Sequence, residues 1–174
     1  MIQFRDTRAG SRQLLPQARE MAQLCLDSGV RLIVNDRLDL ALAVDADGVH
    51  LGQDDLPPKA ARALLGAGKI LGVSTHSLDQ AVRAAEDGAD YLGIGPIFTT
   101  ATKPTGYKPV GCEMIRQLRQ RIDLPLLAIG GITLDNVGEV IRAGATGAAV
   151  ISAIIGSDDM ARATEAFLAV IRKA

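Results

Sequence analysis

Seven short apolar runs, each bounded by turn residues, alternate with segments of helical spacing and predict an α/β fold on a parallel sheet. The runs fall at residues 2–5, 30–34, 49–51, 70–73, 91–94, 126–129 and 148–151. They are nearly unbroken, as strands buried on both faces should be. Parallel neighbours need right-handed crossovers, and the segments between the runs supply them. A doubly wound sheet also satisfies this alternation, but no G-x-G-x-x-G comes after an early strand. A TIM-type (β/α)8 barrel normally takes eight units and about 200–250 residues. The chain is therefore expected to be such a barrel lacking its first βα unit.

The helical segments carry their own signals. Ser11 is placed as the N-cap of the first, where Leu14, Ala18, Met21, Ala22 and Cys25 line one face. Ser77 is placed as the cap of a segment running to Ala85. Val137, Val140 and Ile141 mark a later helix, and Ala163, Phe167, Val170 and Ile171 mark the last. Gly29, Gly66, Gly88 and Gly144 stand where helices should stop.

Composition narrows the function. At 174 residues the chain is expected to form one domain, 1–174. Nineteen Lys and Arg against 20 Asp and Glu give a net charge of −1, which argues against a nucleic-acid partner. An apolar fraction of 48% against 22% charged residues supports a core, and a chain this long buries roughly 70% of its unfolded surface. Aromatics are only 3%, with no Trp, so stacking platforms for bases or sugars are not expected. Cys25 and Cys112 make neither a disulfide scaffold nor a CxxC metal knuckle. No apolar stretch reaches the roughly 18 residues of a membrane span. These features lead us to expect a reducing, cytoplasmic setting and no membrane partner.

Functional groups of a (β/α) barrel gather at the C-terminal ends of its strands. At and just beyond the ends of the first three runs stand Gln3, Arg5, Asp6 and Thr7, then Asn35 and Asp36, then His50, Gln53, Asp54 and Asp55. Ser74, Thr75 and His76 come next, then Gly95 and Pro96, Gly130 and Gly131, and Ser152. The Gly130-Gly131 turn, with Thr133 to Asn136 after it, is expected to put bare N–H groups at a helix N-terminus. The turn at Ile151-Ser152 is expected to do the same one unit later. Together they match the phosphate site that barrels build from their last two strands. Asp36 and Asp55 come after consecutive strands and would suit Mg2+ completed by phosphate oxygens and water. Spacing alone leaves solvated loop acids equally open. The stretch 95–107 is long, non-periodic and rich in Thr, with Lys103 able to meet an anion. His50 is expected to be a packed core residue. His76 stands at a strand end with no Ser or Cys nucleophile beside it in the sequence, and no triad, P-loop or zinc spacing is present.

Taken in order, these segments resemble the thiamine phosphate synthase (thiamine-phosphate pyrophosphorylase) family along essentially the whole chain. The matching segments are Gln3-Phe4-Arg5-Asp6, Val34-Asn35-Asp36-Arg37, Asp47 through Asp55 and Gly72-Val73-Ser74-Thr75-His76. They continue with Asp90 through Phe98, Thr100-Ala101-Thr102-Lys103, Ala128-Ile129-Gly130-Gly131-Ile132 and Val150-Ile151-Ser152. The resemblance implies a (β/α)8 barrel that joins a hydroxymethylpyrimidine diphosphate to a thiazole phosphate and releases pyrophosphate. It implies that Gln3, Phe4 and Arg5, with Asp6 and Thr7 after them, hold the pyrimidine diphosphate together with Asn35, Ser74 and Lys103. Asp36 and Asp55 would bind Mg2+. Thr100, Ala101, Thr102, Gly131, Ile151 and Ser152 would hold the thiazole and its phosphate. Arg5, Lys103 and Ser74 would serve the departing pyrophosphate.

Two departures accompany the match. Thr7 stands where the family pattern carries a Lys, and the family's first βα unit is not present ahead of Met1. The partners implied are the two small-molecule substrates, with a homo-oligomer left open. Two other readings remain. One is the related thiazole tautomerase group, in which His76 would shuttle a proton. The other is a non-catalytic barrel that binds a phosphorylated ligand.

Overall fold

The computed structural model describes residues 1–100 and 106–174. Strand and helix alternate from the start: β1 (Ile2–Phe4), α1 (Ser11–Asp27), β2 (Leu32–Asn35), α2 (Leu38–Ala43), β3 (Gly48–Leu51), α3 (Pro58–Leu65) and β4 (Ile70–Thr75). The second half runs α4 (Leu78–Glu86), β5 (Tyr91–Ile94), α5 (Gly111–Arg119), β6 (Leu126–Ile129), α6 (Val137–Arg142), β7 (Gly147–Ala149), α7 (Ser152–Ile155) and α8 (Met160–Ile171). All seven expected strands are present. The α/β class and the parallel pairing agree with the sequence reading.

The chain divides into two units: Met1–Val73 with Glu86–Asp90, and Ser74–Ala85 with Tyr91–Ala174. In the first, β1 pairs with β2, β2 with β3 and β3 with β4, every pair parallel. Leu14, Ala18 and Cys25 of α1 are buried, as are Leu32, Ile33 and Val34 of β2 and Val49 and Leu51 of β3. Each buried Val, Leu or Ile among them contributes about 1.5–3 kcal/mol by leaving water. In the second unit β5 pairs with β6 and β6 with β7, again in parallel. Its core holds Leu92, Ile94, Ile115, Leu118, Leu126, Val140 and Phe167. β2, β3 and β5 are buried at every position, whereas β1 exposes Ile2 and Gln3 and β7 is half-buried throughout. Among the described residues, no helix is long and apolar enough to cross a membrane.

The acid-then-glycine phrase that recurs before the strands has a physical cause. Asp47 accepts the Leu32 N–H at 2.7 Å, Asp90 accepts the Leu71 N–H at 2.7 Å, and the Thr146 hydroxyl accepts the Leu126 N–H at 3.1 Å. Each side chain just ahead of an odd-numbered strand thus ties down the start of the strand before it. Two arginines repeat the pattern one layer out. Arg62 donates to the carbonyls of Gly66, Lys69 and Gly88 and pairs with Asp90 at 2.5 Å. Arg119 donates to the carbonyls of Ile122, Leu124 and Gly144 and to the Thr146 hydroxyl. The N-terminal ends of the strands are clamped in this way, which leaves their C-terminal ends for chemistry.

Helix ends explain where strands begin. Gly29 (φ 63°) and Gly144 (φ 108°) close α1 and α6 with paired reverse bonds, Gly29 N–H to Leu26 O with Val30 N–H to Cys25 O, and Gly144 N–H to Ile141 O with Ala145 N–H to Val140 O. Because Val30 is engaged in that closure, β2 opens at Leu32 rather than Val30. β7 stops at Ala149 because Ile151 is already the N-cap of α7. At the first helix Gly10, not Ser11, is the N-cap, and the Ser11 hydroxyl accepts from Arg37 instead. Ser77 caps α4 as expected, its hydroxyl accepting the Gln80 N–H at 3.3 Å.

Candidate functional site

Within the first unit, register places Phe4 beside Val34 and Asn35 beside His50. Arg5, Asn35 and His50 therefore stand at one end of this unit's strands. Gln3, Arg5, Asp6 and Thr7 are exposed and Phe4 is half-buried. One oxygen of Asp6 accepts the N–H groups of Arg8 and Ala9 and closes a turn, and these two bonds hold its carboxyl below the usual range. His50 is buried, as expected of a packed core residue.

Asn35 is buried at the last position of β2, and its amide nitrogen has no hydrogen-bond partner. Among the described residues it is the one buried side-chain polar atom so left. Leaving a buried donor unmatched costs about 1–3 kcal/mol, which an acceptor brought to this amide would recover.

Asp36 comes at once after it, with a positive φ of 62°. The Arg37 N–H bonds back to the Asn35 carbonyl at 2.7 Å, which makes Asp36 the centre of a γ-turn with positive φ, a rare and strained form. Its own N–H donates to the His50 carbonyl at 2.8 Å. Arg37 forms a fork on Asp39, at 2.9 and 2.5 Å, and holds that carboxyl below its ordinary range. On the next loop, Asp55 is half-buried and one of its oxygens accepts the Gly52 N–H at 2.7 Å. Among the described residues, no three His, Cys, Asp or Glu side chains cluster as a metal cage.

In the second unit Ser74 is half-buried near the end of β4, and the buried Thr75 donates to the Gly93 carbonyl. The His76 ring bonds through Nδ1 to the Gly95 carbonyl and stacks on Tyr107, with centroids 3.7 Å apart. Beyond β5, Ile97 and Phe98 donate to the carbonyls of Ile129 and Gly130, so the chain entering the long loop runs beside the Gly130-Gly131 turn. Gly131 has a φ of 67°, and a Cβ there would meet the Thr99 carbonyl oxygen at 2.6 Å and Phe98 Cβ at 2.8 Å. Thr100 is the next residue after this contact. Gly131→Ala is expected to destabilise the protein by roughly 2–4 kcal/mol. Gly68→Ala, in a turn with nothing within 4 Å and no positive φ, should be nearly neutral; urea titration of the two variants checks both.

The turn differs in one respect from the sequence reading. α6 opens only at Val137, and the Asn136 side chain closes the intervening loop by accepting from Thr133 and donating to the Gly131 carbonyl. Ile151 and Ser152 are exposed at the start of α7. Ala101, Thr102 and Lys103 lie outside the described residues.

The structure brings Asn35, Asp36 and His50 together in the first unit, and Phe98, Thr99 and Gly131 together in the second. Sequence reasoning missed the Arg37 fork, the His76–Tyr107 stack and the Asn136 closure. The alternation of Arg37 and Asp39 was the only linear hint of any of them. The thiols offer no nucleophile: burial pushes the Cys25 pKa up, and burial with the neighbouring Glu139 pushes Cys112 up to about 11. In the first unit a cavity of about 460 Å³ opens near Cys25, Leu32, Val44 and Lys69, at the N-terminal ends of the strands and away from Asn35.

Comparison with known proteins identifies the family of the chain. Residues 1–154 match the family described as thiamine monophosphate synthase. The chain is 50% identical over 171 residues to a thiamine-phosphate synthase of Chloroflexus aurantiacus, a match covering 98% of this chain and 79% of that protein. It is 52% identical over 167 residues to the thiamine-phosphate synthase of Methanospirillum hungatei, covering 96% of this chain and 81% of that one. The solved thiamine phosphate pyrophosphorylase from Pyrococcus furiosus superposes with a TM-score of 0.90 at 38% identity, over 98% of this chain and 82% of its own. The chain belongs to the thiamine monophosphate synthase family.

Proposed function

We propose that this chain is a transferase that condenses 4-amino-2-methyl-5-hydroxymethylpyrimidine diphosphate with 4-methyl-5-(2-phosphoethyl)thiazole, giving thiamine phosphate and pyrophosphate. The observation that carries the reading is the orphaned Asn35 amide at the end of β2, next to the strained Asp36. A diphosphate oxygen is the acceptor that this donor lacks. The family match and the identity of about half the residues support the same reaction. We read the seven parallel strands as those of a (β/α)8 barrel forming one domain over 1–174, in a cytoplasmic enzyme that takes two small-molecule substrates and is open to homo-oligomerisation.

In this mechanism the bond from the pyrimidine methylene to the diphosphate oxygen breaks, and its electron pair leaves with pyrophosphate. The thiazole nitrogen then captures the resulting cation. Gln3, Phe4 and Arg5 with Asp6 and Thr7, and Asn35, Ser74 and Lys103 elsewhere, hold the pyrimidine diphosphate. Arg5, Lys103 and Ser74 stabilise charge on the departing group. Thr100, Ala101, Thr102, Gly131, Ile151 and Ser152 hold the thiazole phosphate so that its nitrogen faces the carbon under attack. Positioning of this kind contributes much of the rate. No side-chain nucleophile is required.

Asp36 and Asp55 would hold Mg2+. The donor set fits: two half-buried carboxylates on loops after consecutive strands suit a cation that keeps water and substrate phosphates as its other ligands. When bound, Mg2+ supplies charge neutralisation for the diphosphate.

Formation of thiamine phosphate from the two substrates, each omitted in turn, tests the reading; product without one of them would overturn it. Two variants sharpen the test. Thr7→Lys is expected to lower KM for the pyrimidine diphosphate by about tenfold, the worth of roughly one charged hydrogen bond. An unchanged KM would argue that no diphosphate lies near Thr7. His76→Ala is expected to keep most of the coupling rate, because the His76 ring is engaged with Gly95 and Tyr107. A loss of about 10²–10⁴-fold is what a general acid–base would show, and it would favour the tautomerase chemistry.

A further inference from the structure

Among the described residues, two other than glycine have a positive φ, Asp36 at 62° and Asp45 at 54°, and their surroundings differ. Asp45 ends α2. Its N–H bonds to Leu42 O and the Ala46 N–H to Ala41 O, an ordinary helix closure that often recruits a left-handed residue. Asp36 ends no helix. It sits between a strand and the first turn of α2, in a three-residue turn closed by Arg37 N–H to Asn35 O. Such a conformation persists where its surroundings over-determine it.

The restraints can be named. On the incoming side, β2 pairing and the bond from Asp36 N–H to His50 O fix the backbone. On the outgoing side, Arg37 is the N-cap residue of α2, and its guanidinium reaches two helices. Nε and Nη2 grip both oxygens of Asp39 in the first turn of α2, at 2.9 and 2.5 Å, and Nη2 also donates to the Ser11 hydroxyl at the start of α1, at 2.5 Å. The Arg37 side chain is only 32% exposed. A planar fork held on both prongs and tied to a second helix fixes orientation in a way a lysine cannot.

We propose that Arg37, locked by Asp39 and Ser11, is a positioning residue that holds Asp36 in its strained turn and so presents the Asp36 carboxylate to the divalent cation. The inference rests on the reading of Asp36 as a Mg2+ ligand given above. Its sign separates it from simple electrostatics. A guanidinium near a cation site repels the cation, so removing its charge alone should tighten metal binding. Loss of positioning weakens it.

The test is Mn2+ binding to the full chain by calorimetry, without substrates, together with the HN–Hα coupling of Asp36 in the metal-free protein. Arg37→Met is expected to weaken Mn2+ binding by about tenfold or more, the usual effect of losing a partner that orients a ligand. It should also move the Asp36 coupling away from its left-handed value. Arg37→Lys is expected to fall between this variant and the parent chain. Tm should change little, since Asp39 is 63% exposed and an ion pair open to solvent on one side contributes little to stability. Should Arg37→Met fail to fold, Asp39→Asn breaks the same fork and the same change in Asp36 coupling is expected. Unchanged or tighter Mn2+ binding in Arg37→Met, while Asp36→Ala binds about 100-fold more weakly, would overturn the positioning role and leave the metal reading standing. Unchanged binding in Asp36→Ala would overturn the metal reading, and the positioning role with it.

Discussion

Asp36→Ala is expected to abolish Mg2+-dependent coupling, with a fall in kcat of at least about 10³-fold, equivalent to roughly 4 kcal/mol of transition-state stabilisation. The loss should be one of chemistry and not of folding. The alanine side chain makes no new demand on space at a half-buried loop position, and the φ of 62° that Asp36 already carries disfavours alanine only slightly more than aspartate. Circular dichroism and Tm close to the parent chain should therefore accompany the loss. Asp55→Ala should act in the same direction but also release the Gly52 N–H that Asp55 binds, so it should lower Tm as well. Steady-state assays over a Mg2+ titration check both. Full activity in Asp36→Ala would refute the metal assignment.

Asn35→Leu is expected to separate stability from function. The leucine has nearly the same shape and removes a buried donor that has no partner in the ligand-free protein. Stability should rise by about 1–2 kcal/mol, a gain in Tm of about 3–6 °C for a chain of this length. Turnover should fall by about 10²-fold, the usual effect of deleting one donor aimed at developing charge. A drop in both quantities would mean that Asn35 is a structural residue with a partner the ligand-free protein already provides.

Both substitutions fall on residues whose place, but not whose condition, was legible in the sequence. The number of strands was legible because each apolar run is bounded by turn residues, and Gly29 and Gly144 mark helix ends through a backbone conformation that glycine favours. Strand ends were legible to within two residues. Val30 and Ile151 look like strand residues, but the closure of α1 engages one and the start of α7 the other. The identity of Asn35 and Asp36 was readable from their place after an apolar run. Their condition was not, because an unpartnered amide and a γ-turn are properties of the folded backbone. The Arg37 fork was hidden for a different reason: Ser11 is 26 residues away in the chain, and only the packing of α1 beside α2 brings it within reach. The strand clamps made by Asp47, Asp90 and Thr146 were visible as a repeated phrase, and their purpose became clear with the N–H groups they accept.

If these residues join two phosphorylated heterocycles with the help of a divalent cation, both products must appear together. The most direct check is the yield of thiamine phosphate and pyrophosphate from the purified 174-residue chain with both substrates and Mg2+, quantified together. The two products are expected in equal amounts, neither of them formed after EDTA and both restored by added Mg2+. Pyrophosphate without thiamine phosphate, or equal yields that persist in EDTA, would be incompatible with metal-assisted coupling at this site.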